Sequence, residues 1–147
     1  MISNSENVAR AIFSPKMIIN GEIQPEAFRL RPAIKEDFLS VMRMSFPSWV
    51  EDIKRIPQRR NRKLHGFAEL NVGEIRQINL KNVEYDVREC PSDSIASHAG
   101  IFVIINGENL VGGKLLNSIE SDVEQDFLVL AIQRELVDLA QRGLHKL

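Results

Sequence analysis

Four side chains with reactive or titratable groups lie close together in the sequence, directly before its most apolar run. They are Cys90, Asp93, Ser97 and His98. A histidine with its usual pKa of about 6.5 can accept or donate a proton near neutral pH. A carboxylate in the preceding turn can orient the imidazole ring. These residue types therefore make His98 a candidate general acid or base, with Asp93 as its candidate partner.

The same residues also have a structural interpretation, which the sequence leaves open. His98 could satisfy backbone groups at the entrance of a buried strand, and Asp93 could form the polar turn before it. Ser97 adjoins His98, and this spacing does not match a nucleophile elbow. A lone cysteine such as Cys90 is more often a small buried side chain than a nucleophile. No Cys or His pair has the spacing of zinc ligands, so we expect no metal and no cofactor.

A basic segment between residues 54 and 65 carries six cations and no acid. Its candidate contacts to a polyanion are Arg59, Arg60, Arg62 and Lys63. Cationic side chains bind a phosphodiester backbone with release of counterions, so that binding depends on salt. Trp49 and Phe67 flank the segment, and their rings could stack on bases. Nucleic-acid binding is one hypothesis, and a solvated loop or a contact with an acidic partner are the alternatives.

A second polar group lies on the early predicted strands. It consists of Arg29, Arg31, Ser40 and Arg43. If these strands lie beside the strand that follows His98, the group and His98 share one cleft that could bind a phosphate or a nucleotide. In that arrangement Arg31 or Arg43 would hold the anion while His98 transfers a proton.

Hydrophobic periodicity predicts the elements that must position these residues. Strands are predicted, from alternation or from continuous apolar runs, at residues 17–19, 27–31, 38–44, 67–72, 83–87 and 101–105. The last of these should be buried on both faces, because it is apolar throughout. Short helices are predicted at residues 4–13 and at 47–53. Asn20-Gly21 predicts a tight turn after the first of these strands.

The strongest helix signal lies near the end of the sequence. Ser121 and Glu124 match a capping box, and Gly143 is a helix stop, so a helix should run to Arg142. One apolar stripe should cover the sheet and contains Leu128, Ile132, Leu136 and Leu139. A second stripe on the opposite side contains Phe127, Leu130 and Val137. It should meet either other parts of the chain or a protein partner, including a second copy.

The order of the predicted elements indicates an α+β protein with a largely antiparallel sheet and a long C-terminal helix packed on it. The length and bulk composition favour a soluble protein with one domain over residues 1–147. The chain has 147 residues, 44% of them hydrophobic, and a formal net charge of −1, so no global field attracts nucleic acid or membrane. The single cysteine excludes an internal disulfide, which fits a reducing compartment. Neither a signal peptide nor an apolar run of about 20 residues is present, so we expect a cytoplasmic protein without membrane contact.

Several short motifs carry a resemblance to known sequences. They are Ala27-Phe28-Arg29-Leu30, Leu39-Ser40-Val41, the run Leu70-Asn71-Val72-Gly73-Glu74-Ile75, and Pro91 to Asp93 followed by Ser97-His98-Ala99-Gly100-Ile101. Their order resembles a family of small uncharacterised bacterial proteins over residues 27–101, and the resemblance leaves out the terminal helix. It implies a bacterial, cytoplasmic source, and it carries no activity and no catalytic residue to this chain.

Two functional hypotheses follow. The first is a binding or accessory protein that acts through a protein partner or a second copy. The alternative is a small enzyme for a phosphorylated or nucleic-acid substrate, with His98 as general acid or base. An enzyme should hold His98 in a concave pocket beside an arginine that binds the anion. A binding module should show an exposed apolar patch instead.

Overall fold

The computed structural model describes residues 1–57, 61–90, 95–115 and 122–147. The strands in this part of the chain are β1 (Asn7–Ser14), β2 (Ile18–Ile19), β3 (Glu22–Ile23), β4 (Leu39–Arg43), β5 (Lys63–Asn71), β6 (Val83–Glu89), β7 (His98–Ile105), β8 (Glu108–Asn109) and β9 (Leu144–Lys146). The α-helices are α1 (Trp49–Lys54), α2 (Val72–Arg76) and α3 (Asp122–Arg142). A short 3₁₀ helix covers Pro25–Phe28.

Seven of the described strands form one sheet in the order β6-β7-β4-β1-β5-β9, with β8 paired to β7 beside this path. Every pairing between these strands is antiparallel. Strands β2 and β3 form a separate hairpin, whose turn has positive φ at Asn20 (52°) and Gly21 (78°), as the Asn-Gly pair predicts. The predicted α+β class with a largely antiparallel sheet and a long C-terminal helix is confirmed.

The long helix α3 covers one face of the sheet. Ile132, Leu136 and Ala140 are buried there in the larger of the two hydrophobic cores of the described residues, which we call the main core, and Leu128 and Leu139 pack partly buried against it. The Tyr85 hydroxyl on β6 donates a hydrogen bond of 3.1 Å to the Ile132 carbonyl, which ties the helix to the sheet. The first predicted stripe therefore faces the sheet as expected.

A second, smaller core lies on the opposite face of the sheet. Its buried members are Ala9, Ala11, Phe13, Met42 and Ile53, the last of which comes from α1. The central strand β1 is thus covered on both faces. This explains why the predicted helix at residues 4–13 is wrong: a strand buried on both faces has no polar alternation by which its period of two can be recognised.

Two other predictions also differ from the structure. Residues 27–31 do not form a strand, although Phe28 and Leu30 are buried as their alternation indicates. The 3₁₀ helix includes residues 27 and 28, and no described strand pairs with the segment. In β7, Phe102 and Ile104 are only half-buried, so this strand is fully covered on one face alone. Within the ranges given above, no helix is both long enough and apolar enough to cross a membrane.

A fork in the sheet positions the candidate site. Strands β1 and β4 are paired only at Val8–Arg43 and Ala9–Met42, whereas β1 stays paired with β5 as far as Ser14. Beyond Ala9 the two strands part. The Arg10 side chain enters the gap and donates a hydrogen bond of 2.8 Å to the Ser40 carbonyl of β4.

Candidate functional site

A cavity of about 610 Å³ opens at this fork, within the range of small-molecule sites. Its wall includes four of the residues singled out in the sequence, namely His98, Ser40, Arg29 and Arg31, and also Arg62 from the basic segment. The expectation that the early polar group shares a cleft with His98 is met for Ser40, Arg29 and Arg31. We call this space the fork cavity.

The pairing of β4 with β7 brings Ser40 and His98 together. Met42 lies opposite His98 and Ser40 opposite Gly100, so Ser40 and His98 are diagonal neighbours on one face. Their side chains are joined at 3.0 Å, from Ser40 Oγ to His98 Nε2. The Phe38 ring lies beside the imidazole with 5.8 Å between ring centroids. A Cβ at position 100 would come within 2.6 Å of the Phe38 ring, so the glycine makes room for Phe38.

The surroundings of His98 favour the uncharged form of its imidazole. Burial lowers the pKa of His98 below its usual value, and the backbone of Cys90 opposes this in part. An uncharged ring can accept a proton. The second ring nitrogen, Nδ1, is buried and has no hydrogen-bond partner among the described residues. Asp93, the predicted partner, lies outside those residues, so its role stays a prediction.

Arg10 is the site residue that the sequence analysis missed. Its Nε and Nη2 donate to the Ala27 carbonyl at 3.0 and 2.9 Å, and its Nη1 donates to the Ser40 carbonyl. Among the described residues it has no hydrogen bond to a carboxylate. Burial lowers the pKa of Arg10 to about 10; the Glu36 carboxylate opposes this, and the Arg62 and Arg31 guanidinium groups add to it. Arg10 therefore keeps its charge at neutral pH without a hydrogen-bonded counterion.

The described part of the wall of the fork cavity contains more cations than carboxylates. Its cations are Arg10, Lys16, Arg29, Arg31 and Arg62, and its carboxylates are Glu26 and Glu36. Arg31 Nη2 lies 3.2 Å from Glu36 Oε2, and Arg29 Nη1 lies 3.6 Å from Glu26 Oε1. Five cations thus face two carboxylates, and both carboxylates are already paired.

The other part of the wall is apolar. It contains Phe13 and Met42 of the smaller core, together with Met17, Ile56 and Ile95, which pack against that core. The Arg62 guanidinium lies over the Phe13 ring, 3.7 Å from its centroid, where the cationic and apolar parts meet. The fork cavity therefore suits a ligand that has an anionic group and an apolar group.

Arg43 does not line the fork cavity. Its Nε and Nη2 bind both carboxylate oxygens of Glu6 at 2.7 and 3.0 Å, and its Nη1 lies 3.3 Å from Glu89. These contacts raise the pKa of Arg43, and the hydrogen bond from Arg43 lowers the pKa of Glu6. The expectation that Arg43 holds an anion beside His98 is not met, because its side chain is engaged with two acids.

The described part of the basic segment does not form one continuous exposed cationic surface. Arg62 turns to the fork cavity, Lys63 is exposed at the start of β5, and Arg59 and Arg60 lie outside the described residues. The Trp49 and Phe67 rings, which were candidates for base stacking, pack against each other at 4.9 Å. Polyanion binding by this segment stays a prediction.

The environments of Ser97 and Cys90 favour structural roles for both side chains. Ser97 is fully buried, and its hydroxyl donates to Asp52 Oδ2 at 2.6 Å, an atom that also accepts from the Ser48 hydroxyl at 2.9 Å. This cluster ties α1 to the start of β7. Burial raises the pKa of the Cys90 thiol, which disfavours the reactive thiolate.

The second apolar stripe of α3 is exposed only near the start of the helix. Phe127 is 71% exposed, and Val123, one turn before it, is 64% exposed. Leu130 and Val137 are half-buried, and Val137 packs against the main core. An apolar surface therefore exists there, although it is smaller than the stripe predicted.

Comparison of the chain with known protein families, with curated proteins and with solved structures finds no match. The resemblance to a bacterial family stays an expectation. In the part of the chain that the structure describes, no group of three or more His, Cys, Asp or Glu side chains could hold a metal ion.

Proposed function

We propose that the protein binds a phosphorylated small molecule in the fork cavity. The observation that carries this proposal is Arg10, a partly buried guanidinium held by two carbonyl oxygens, with Arg31 and Arg62 close enough to lower its pKa. Like charges in a partly buried site repel one another, and a polyvalent anion relieves this repulsion. A guanidinium group also matches the geometry of phosphate oxygens.

The apolar part of the wall supports an organic group on the ligand. Phe13, Met17, Ile56 and Ile95 offer a surface for an aromatic or aliphatic group, while the arginines take the phosphate. Inorganic phosphate alone would contact only the cationic part of the wall. We therefore expect a phosphate ester of an apolar or aromatic alcohol to bind more tightly than phosphate.

Titration calorimetry with phenylphosphonate tests this proposal, because this probe combines a phosphoryl group with a ring and has no ester bond to break. We expect saturable binding that is tighter than that of inorganic phosphate and absent for phenol. A dissociation constant above about 1 mM, a binding free energy weaker than about −4 kcal/mol, would contradict the proposal. Tight binding of a single-stranded oligonucleotide with a steep salt dependence, and none of phenylphosphonate, would favour nucleic acid instead.

Association with a second copy is a second candidate function, favoured by the exposure of Val123 and Phe127. Sedimentation should show that the parent protein self-associates and that Phe127→Asp reduces this, since a charge opposes apolar contact. Arg134→Asp, at an exposed position of the same helix, is the matched control and should leave association intact. A parent protein that stays monomeric at high concentration would remove this candidate.

A further inference from the structure

Ser40 is better placed to react than the serine next to His98 in sequence. Ser40 lines the fork cavity with its Oγ 3.0 Å from His98 Nε2, whereas the Ser97 hydroxyl is fully buried on Asp52. Both members of the pair lie on paired strands, and the Ser40 carbonyl is held by Arg10. A serine hydroxyl that is hydrogen-bonded to an imidazole and faces a cavity is the arrangement of an activated nucleophile.

We propose that Ser40 is the nucleophile, and His98 the general base, of a phosphate-ester hydrolysis in the fork cavity. This inference rests on the proposed function, since the phosphorylated ligand is then the substrate. Arg10, with Arg62 beside it, would stabilise the negative charge on the phosphoryl oxygens during transfer.

The reaction has two steps that balance with water as the only co-reactant. In the first, Ser40 Oγ forms a bond to phosphorus, its proton passes to His98 Nε2, and the bond from phosphorus to the ester oxygen breaks. His98 then gives this proton to the leaving oxygen, which departs as the alcohol. In the second step a water oxygen attacks phosphorus and loses a proton to His98. The bond from phosphorus to Ser40 Oγ breaks, the proton returns to Oγ, and inorganic phosphate leaves.

The charge state of His98 agrees with this role. Burial favours the uncharged ring, so Nε2 can accept the Ser40 proton near neutral pH when the ring proton is on Nδ1. The Phe38 ring, which packs beside the imidazole, restricts its orientation. Positioning of this kind is the contribution that the strand framework makes to the proposed reaction.

Turnover of para-nitrophenyl phosphate, with acid quenching and mass spectrometry, tests the inference. We expect release of para-nitrophenol and a phosphoryl group on the peptide that contains Ser40. Turnover should fall by about 10²–10⁴-fold in His98→Ala, the usual range for a lost general base. Ser40→Ala should lose turnover to a similar extent, because a nucleophile and its base act as a unit. Ser45→Ala, an exposed serine outside the cavity, is the matched control and should keep parental turnover.

The outcomes separate this inference from the proposed function. If the parent binds phenylphosphonate but neither turns over the ester nor carries a phosphoryl group on Ser40, the nucleophile assignment is wrong and the binding site stands. Undiminished turnover in folded Ser40→Ala would also overturn the assignment. If the parent neither binds phenylphosphonate nor hydrolyses the ester, both proposals fail. Should Ser40→Ala not fold, the phosphopeptide of the parent decides alone.

Discussion

Replacing Arg10 by methionine is expected to weaken phenylphosphonate binding by about 10- to 150-fold. A hydrogen bond to a charged group contributes about 1.5–3 kcal/mol, which corresponds to this factor. Methionine fills a similar space without the charge, so the change tests the guanidinium itself. Arg10→Lys should restore part of the affinity, because the charge remains while the planar donor geometry is lost.

The same substitution also removes the donors for the Ala27 and Ser40 carbonyls. We expect the unfolding free energy to fall by about 1–3 kcal/mol for these unpaired acceptors, so binding must be measured where each variant is folded. Arg62→Gln tests the same binding site with a second cation, which lies on a different segment of the cavity wall. Arg142→Gln removes an exposed arginine, paired with Glu74 on the surface, and should bind as the parent does. Parental affinity in folded Arg10→Met would show that the anion lies elsewhere.

Leu136→Ala is expected to cost about 2–5 kcal/mol of unfolding free energy, the usual penalty for truncating a fully buried leucine. Leu136 has no exposed surface and lies on α3 between Ile132 and Ala140, which are also buried in the main core. Truncation removes apolar contacts and leaves a cavity that the surrounding helix and sheet can only partly fill. Denaturant unfolding monitored by circular dichroism measures the loss.

Val123→Ala is the matched control on the same helix. Val123 is 64% exposed, so its truncation should change the unfolding free energy by no more than about 0.5 kcal/mol. Equal denaturant midpoints for Leu136→Ala and the parent would show that α3 does not pack on the sheet through this face.

The parts of the fold that could be predicted are those with one buried face. Val83, Tyr85 and Val87 alternate with polar residues, and β6 forms there because one of its faces is in the main core. The face of helix α3 that packs on the sheet could be predicted from its apolar stripe for the same reason. Strand β1 could not be predicted in this way, because Val8 and Ile12 face one core while Ala9, Ala11 and Phe13 face the other.

The candidate site was predicted in part, and the misses have physical causes. The sequence placed Ser40 and His98 in one cleft only on the condition that their strands are neighbours, and the pairing of β4 with β7 meets that condition. Arg10 was missed because it lies within β1, which was predicted as a helix. Its signal was a single cation in an otherwise apolar run, because a cation in a buried run needs hydrogen-bond acceptors. Arg43 was misplaced because its partner Glu6 is far away in sequence, and a long-range ion pair has no local signal.

Titration of the protein with phenylphosphonate, followed by ¹H–¹⁵N correlation spectra that include the arginine Nε–H signals, tests the central claim most directly. We predict that the Arg10 Nε–H signal and the Ser40 and His98 backbone amides shift together with one dissociation constant, while the Arg142 Nε–H signal stays in place. Shifts that are confined to the exposed cations of the basic segment, such as Arg55 and Lys63, with Arg10 and His98 unmoved, would contradict the assignment of the fork cavity as the binding site.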